Sequence, residues 1–238
     1  MASLSAPAPK RENILVNLVC NVVLPTLILM KLSKPEYLGP KLALLTALAF
    51  PVGYGLYDLA TRRTFNFLSA LGFTATLATG GLALLKLDPF WFAVKEAVVP
   101  SLIGLTVLVS HMVGRPLVRS MLFNEQVLNV GKIEATIVER SQQKAFAGLL
   151  WQSSGLLAAS FALSAGLNFA LARFLITAQP DTELFNEQLG RLTAWSWPVI
   201  VVPSMAMMMF ALWRLLKGVE RLTGLPMDEL FQEPVAKN

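Results

Sequence analysis

The sequence predicts an all-α, polytopic membrane protein: a bundle of about six transmembrane helices with proline kinks and both termini in the cytoplasm. Three observations lead there. Of 238 residues, 55% are hydrophobic and only 15% are charged, against about 25% charged in soluble domains, too little polar side chain to clothe a water-soluble globule. The apolar residues gather into six runs near the length of about 20 residues that a spanning helix needs. Proline recurs inside those runs, where it costs a helix in water about 3 kcal/mol or more; in lipid, neighbouring helices and hydroxyls can satisfy the freed backbone. Strand-type alternation is absent, which disfavours an outer-membrane barrel.

The first run, roughly Ile14–Leu32, follows Lys10 and Arg11 as the apolar part of a signal peptide would. It is longer than such a part and leads into "MKLSKPEYLGP" rather than a small-residue cleavage site, so it reads as a retained span. The second, roughly Lys41–Tyr57, is short, holds Pro51 and Gly53, and is followed by Asp58. The third, roughly Phe65–Leu85, carries Gly72, Thr76 and Gly80 at four-residue spacing. The fourth, roughly Val94–Val113, opens on Lys95 and Glu96 and has His111 near its cytoplasmic end; "DPFWF" (Asp88–Phe92) before it reads as an aromatic belt at the outer interface.

The fifth run, roughly Leu149–Phe174, has a longer ladder of small residues, Ser154, Ala158, Ala162, Gly166 and Ala170, with Arg173 near its outer end. Small side chains at this spacing form a groove that another helix can approach closely. Packing inside one bundle is the first reading, and a homodimer or a partner protein is the alternative. The sixth run, roughly Thr193–Leu216, carries Met205, Met207, Met208 and Met209 as fillers of irregular gaps.

The resulting organisation is a short cytoplasmic head (1–13), a transmembrane domain (14–217) with a cytoplasmic loop (114–143), and a cytoplasmic tail (218–238). Orientation follows from the lysines and arginines, the larger share of which fall in the head, the second and fourth loops and the tail. In the fourth loop, Leu117, Met121, Leu122 and Leu128 make the apolar side of a helix lying on the membrane, with Arg115 and Arg119 at the headgroups. From "KIEATIVERSQQK" a charged helix leads into the fifth span. Head and tail read as poorly ordered ends.

"VVPS" occurs at Val98–Ser101 and Val201–Ser204, and "VLPT" at Val23–Thr26. Pro25, Pro51, Pro100 and Pro203 each free the carbonyl four residues earlier. Thr26, Ser101 and Ser204 directly follow three of them, where a hydroxyl can bond a carbonyl of the preceding turn. "NVVLPTLIL" and "EAVVPSLIG" align without gaps across spans one and four, as a three-plus-three inverted repeat would. The copy in span six does not fit that register, and convergent use of Val, Pro and Ser explains it equally.

The chemistry on offer is sparse. One histidine, His111, and one cysteine, Cys20, leave no metal-ligand cluster and no intrachain disulfide, and no cofactor is expected. The net charge of +5 is scattered in short clusters without the aromatic interleaving of a nucleic-acid surface. Ionisable residues within spans are functional candidates by default: here Lys95, Glu96, Asp58 and His111. They are either interface anchors and pairs, or the lining of a small polar cavity one turn before Pro100. No nucleophile–histidine pair or carboxylate cluster is apparent at one membrane depth, so an enzyme is the least supported class. A non-enzymatic membrane protein and a small transporter or channel remain.

"GGLALLKLDPFWFAVKEAVVPSLIG" followed by "RPLVRSMLFN" resembles the bacterial intracellular septation protein A family of inner-membrane proteins. The resemblance is carried by Gly80, Gly81, Leu82, Asp88, Phe90, Lys95, Arg115, Pro116, Leu117, Arg119 and Met121, with an echo in "GLNFALA" (Gly166–Ala172). It is strongest over residues 80–122; the fourth loop is longer than the family's and spans one and two match only in character, as in a sister branch. The resemblance implies a multi-pass protein of the bacterial inner membrane. It further implies a part in cell-envelope maintenance or division through contacts with other envelope membrane proteins or a homo-oligomer. The family supplies no catalytic residues.

Overall fold

The computed structural model describes residues 19–62, 77–122 and 128–231. Among them every regular element is helical, and the single strand-like feature is an isolated bridge between Leu128 and Phe231. The helices are α1 (Leu24–Lys31), α2 (Gly39–Arg62), α3 (77–84), α4 (Pro89–Met112), α5 (Leu117–Leu122), α6 (Val130–Glu139), α7 (Gln143–Leu175), α8 (Glu183–Ser196), α9 (Val202–Thr223) and α10 (Met227–Leu230). A π turn, Val19–Val23, leads into α1, and a second, Trp197–Val201, joins α8 to α9.

Among the described residues three helical runs are long and apolar enough to cross a membrane: Pro89–Met112, Gln143–Leu175 and the continuous Glu183–Thr223. They contain the expected spans four, five and six. The run Val19–Lys31 is a shorter apolar helix. The second expected span is a helix of 24 residues, longer than its apolar stretch. Of the third, Gly72 and Thr76 lie outside the described residues.

The chain divides into two compact units, one holding residues up to Glu96 with Phe169–Trp197, the other Ala97–Asn168 with Pro198 onward. In the first, Leu29 of α1, Ala43 and Leu44 of α2, Phe92 of α4, Ile176 after α7 and Phe185 of α8 form the core. Phe92 and Phe185 meet edge to face at 5.0 Å. Asp88 starts α4 by accepting the Phe90 backbone N–H at 2.8 Å. The expected aromatic belt therefore splits: Phe90 and Trp91 are exposed, whereas Phe92 is core.

α8 begins ten residues ahead of the expected start of span six. The Thr182 hydroxyl caps it by accepting the Phe185 N–H at 3.1 Å, and Glu183 in the first turn complements the helix dipole. Phe185, Leu189 and Leu192 face inward while Glu187 and Arg191 pair outside at 2.5 Å. This segment is an amphipathic helix of the core rather than a loop.

In the second unit Val118 of α5, Ile133 and Ile137 of α6, Leu215 and Val219 of α9 and Leu230 of α10 are buried together with Leu128. This corrects three expectations. Leu117 is half-buried and Leu128 fully so, turned into this core rather than onto a membrane surface; the side chains of Met121 and Leu122 lie outside the described residues. The charged helix does not run into span five, because Ser141 adopts φ 55° between α6 and α7. The tail is folded as far as Phe231: Gly224 ends α9 in the left-handed region (φ 68°), and the chain returns so that Asn129 N–H donates to Leu230 O at 2.9 Å. Each fully buried aliphatic side chain contributes about 1.5–3 kcal/mol, enough to hold so short a return.

The prolines fall into two classes. Pro51 and Pro100 sit within α-helices. Pro25 and Pro203 each stand two residues after a π turn. A π turn carries one extra residue and shifts the carbonyls that a proline ring would strike. In this widened backbone the expected hydroxyl partnership fails: Thr26 Oγ1 and Ser204 Oγ are buried without a hydrogen-bond partner. By local structure the "VLPT" copy in α1 thus pairs with the "VVPS" copy in α9. The three-plus-three register pairs it instead with the copy in α4.

Candidate functional site

α4 brings two of the four ionisable candidates together. Lys95 Nζ lies 2.6 Å from Glu96 Oε1 and donates to Thr79 Oγ1 of α3 at 2.7 Å. Consecutive helical residues do not face each other, so the pair closes only because the long lysine stem swings towards its neighbour. The side chains are 17% and 28% exposed. A charge at this depth is expensive alone and tolerable when paired and hydrogen-bonded. Asp58 belongs to α2, but its side chain lies outside the described residues. Gly80, next to Thr79, is buried, and a Cβ there would lie 2.7 Å from Leu48 Cδ1, so α3 rests closely on α2.

His111 belongs to the second unit. Its Nδ1 is 3.1 Å from Ser154 Oγ, and its ring meets Trp151 edge-on at 4.6 Å. The structure thus does place a serine beside the single histidine, contrary to the expectation from sequence. Ser154 is fully buried and lies mid-helix in α7, where its backbone N–H is committed to the helix. The pair serves to hold α4 to α7. Elsewhere on the same seam, a Cβ at Gly104 would lie 3.1 Å from Phe161 Cβ and 3.3 Å from Ala158 O.

The ladder of small residues divides accordingly. Ser154 and Ala158 are covered, whereas Ala162, Gly166 and Ala170 are exposed, so the expected packing inside the bundle accounts for only part of it. The methionines depart similarly: Met205, Met208 and Met209 are exposed and Met207 is half-buried, so most of them fill no gap in this chain.

The most developed polar cluster lies away from all four candidates. Asn186 of α8, 1% exposed, donates through Nδ2 to Ser33 Oγ at 3.0 Å and to Pro40 O at 2.6 Å. Ser33 Oγ passes the chain on to Leu29 O at 2.7 Å. One turn along α8, a Cβ at Gly190 would lie 2.6 Å from Met30 Cγ and 3.3 Å from Thr26 O. Asn186 and Gly190 thus seat α8 antiparallel on α1. Gln188 accepts from the N–H groups of Thr177 and Ala178, both at 3.0 Å, and fastens the end of α7. At the same turn Lys86 pairs with Asp181 at 2.7 Å, and its ammonium holds the Asp181 carboxyl below the ordinary carboxylate value. The signal available in sequence was "ELFNEQLGRL", with apolar and small residues at helical spacing on one face and Glu187 with Arg191 on the other.

Among the described residues no group of three or more His, Cys, Asp or Glu side chains is placed to share a metal ion. No protein-family model, curated protein or solved structure matches the chain.

Proposed function

We propose that the chain is a multi-pass protein of the bacterial inner membrane, a six-span helical bundle with both termini cytoplasmic. It acts without catalysis, in envelope maintenance or division, through contacts of its helices with other membrane proteins or with its own copies. The observation that carries this reading is the exterior of the three long helices. Leu102, Leu105 and Val109 of α4, Phe174 of α7, and Val202 and Met209 of α9 are all exposed. Large apolar side chains left exposed along helices of this length mark a membrane or protein-contact face. The resemblance to the septation protein family supports the role, and the lateral pairing of Lys95, Glu96 and Thr79 leaves little free charge there for catalysis. In-membrane photo-crosslinking from α7 tests it: reproducible protein neighbours and altered cell shape on deletion are expected. Normal shape with no crosslinked neighbour would end the reading.

A second reading, a small secondary transporter or channel, draws on the half-buried Lys95–Glu96 pair in an apolar helix and the two π turns, a feature frequent at functional sites. On that reading Lys95→Met abolishes solute flux in proteoliposomes, and unchanged flux would reject it.

A further inference from the structure

Two contacts set the register of α7 against α9 within the second unit, and a third brings the cap of α6 to the end of α9. Arg214 Nη2 donates to Gln152 Oε1 at 3.0 Å, Leu149 fills the space that a side chain at Gly218 would take, and the Arg140 guanidinium lies against Gly224. The partners run in opposite directions along the two helices, so the first turn of α7, with Lys144, comes level with the last turn of α9, with Arg221. Arg140, at the cap of α6, stands beside them. All three cations are exposed and none has an ion-pair partner among the described residues. Of the carboxylates near them in sequence, Glu220 is held by Lys217 at 2.7 Å and Glu229 by Lys132, which leaves the exposed Glu139 and Asp228 against three cations. Further along the same seam, flanking the Gln152–Arg214 contact, Trp151 and Trp213 are 51% and 56% exposed.

Cations at the ends of apolar helices, with exposed tryptophans about two turns deeper, reproduce the vertical order of a lipid leaflet: charged headgroup, then the interfacial zone that tryptophan favours. We infer that this seam binds an anionic phospholipid, its phosphodiester held by Arg140, Lys144 and Arg221 and its upper acyl chain lying along Trp151 and Trp213. Guanidinium groups suit a phosphate because they present paired donors to two of its oxygens. The site rests on the membrane reading proposed above and adds a lipid class to it.

The test uses the full-length chain purified in detergent and reconstituted in vesicles. Native mass spectrometry should show retained phosphatidylglycerol in preference to phosphatidylcholine. Lys144→Gln alone should weaken that preference by roughly fivefold, the effect of one cation at an anionic surface. R140Q/K144Q/R221Q should abolish it, while Lys34→Gln, in the other unit, leaves it intact. Equal retention of both lipids, an unchanged preference in Lys144→Gln, or the same stabilisation by inorganic phosphate without lipid would each overturn the assignment. Flotation with pure phosphatidylcholine vesicles separates the two levels. A chain that floats but lacks the anionic preference refutes this site alone, whereas one that does not float removes the membrane reading and the site together.

Discussion

Asn186 reaches Ser33 across the α1–α8 seam, Nδ2 to Oγ at 3.0 Å, and the same amide donates to the Pro40 carbonyl at 2.6 Å. One side chain therefore fixes the end of α1, the start of α2 and the first turns of α8. Its Oδ1 is buried and unpartnered, so the amide already carries an unmet acceptor and stays because its donors are needed. Asn186→Ala removes two buried hydrogen bonds and is expected to lower stability by about 1–3 kcal/mol, at about 0.5–1.5 kcal/mol for each. Thermal unfolding of the purified chain in detergent measures it; a melting temperature equal to that of the parent would show that the network is incidental.

Gly190 and Gly166 make an internally controlled pair. A methyl at Gly190 must displace Met30 Cγ at 2.6 Å and crowd the Thr26 carbonyl at 3.3 Å, whereas one at Gly166 meets nothing within 4 Å. Gly190→Ala is expected to cost about 1–3 kcal/mol, as overpacking does. Gly166→Ala should gain up to about 1 kcal/mol from helix propensity. Melting temperatures of the two variants in one detergent decide the matter, and the reverse order would disprove the α1–α8 seam.

Hydrophobic periodicity is a local signal, and it served where the fold is local. The all-α class and the three long apolar helices could be read from it because an uninterrupted run such as Val94–Val113 has few other ways to be buried. It failed at α8, where "ELFNEQLGRL" is too polar to register as a span, although Phe185 and Leu189 face a core. It failed again in the tail: Leu230 is buried only because Leu128, from far earlier in the chain, is bridged to Phe231 beside it. The pairing of Lys95 with Glu96 was legible as adjacency, but the third member, Thr79, comes from another helix. His111 and Ser154, 43 positions apart, meet through helix packing that no spacing rule encodes.

For Lys95 and Glu96 the singles should be worse than the double. Lys95→Met leaves Glu96 charged and partly buried, and Glu96→Gln leaves Lys95 with Thr79 alone. Because both side chains retain some exposure, each single is expected to cost about 1–3 kcal/mol, below the full penalty for a deeply buried charge. K95M/E96M, which removes both charges, should recover much of that loss. A double-mutant cycle on unfolding in detergent gives the coupling, and strictly additive losses would mean that the pair is not a unit.

Asp181 supplies the pH dependence. Lys86 lowers its carboxyl pKa in the folded chain, first through the hydrogen bond and then through charge attraction. A depressed folded value means the unfolded state binds the proton more readily, so the contribution is present above the unfolded value near pH 4 and is lost as pH falls through the folded one. Both side chains are exposed, so solvent screens the pair and the effect is small. Asp181→Asn should lower the melting temperature slightly at about pH 6, and its difference from the parent should shrink as the pH falls below about 4. A larger loss in acid than near neutrality would contradict the sign.

The two hydroxyls behind the π turns invert the usual expectation for a buried polar residue. Had Thr26 and Ser204 bonded the carbonyls released by Pro25 and Pro203, their removal would cost about 0.5–1.5 kcal/mol each, the net worth of a hydrogen bond. Both are instead buried and unpartnered, so each already bears a desolvation cost that a methyl of similar shape would not. Thr26→Val and Ser204→Ala are therefore expected to be neutral or stabilising. Pro203→Ala, which restores a backbone donor two residues beyond the second π turn, should let that turn relax towards regular α-helix. Melting temperatures report on the first two, and exchange of the newly created backbone amide on the third. A loss of stability in both hydroxyl variants would show that the hydroxyls bond the proline-released carbonyls after all, and that the π turns alone do not accommodate the prolines.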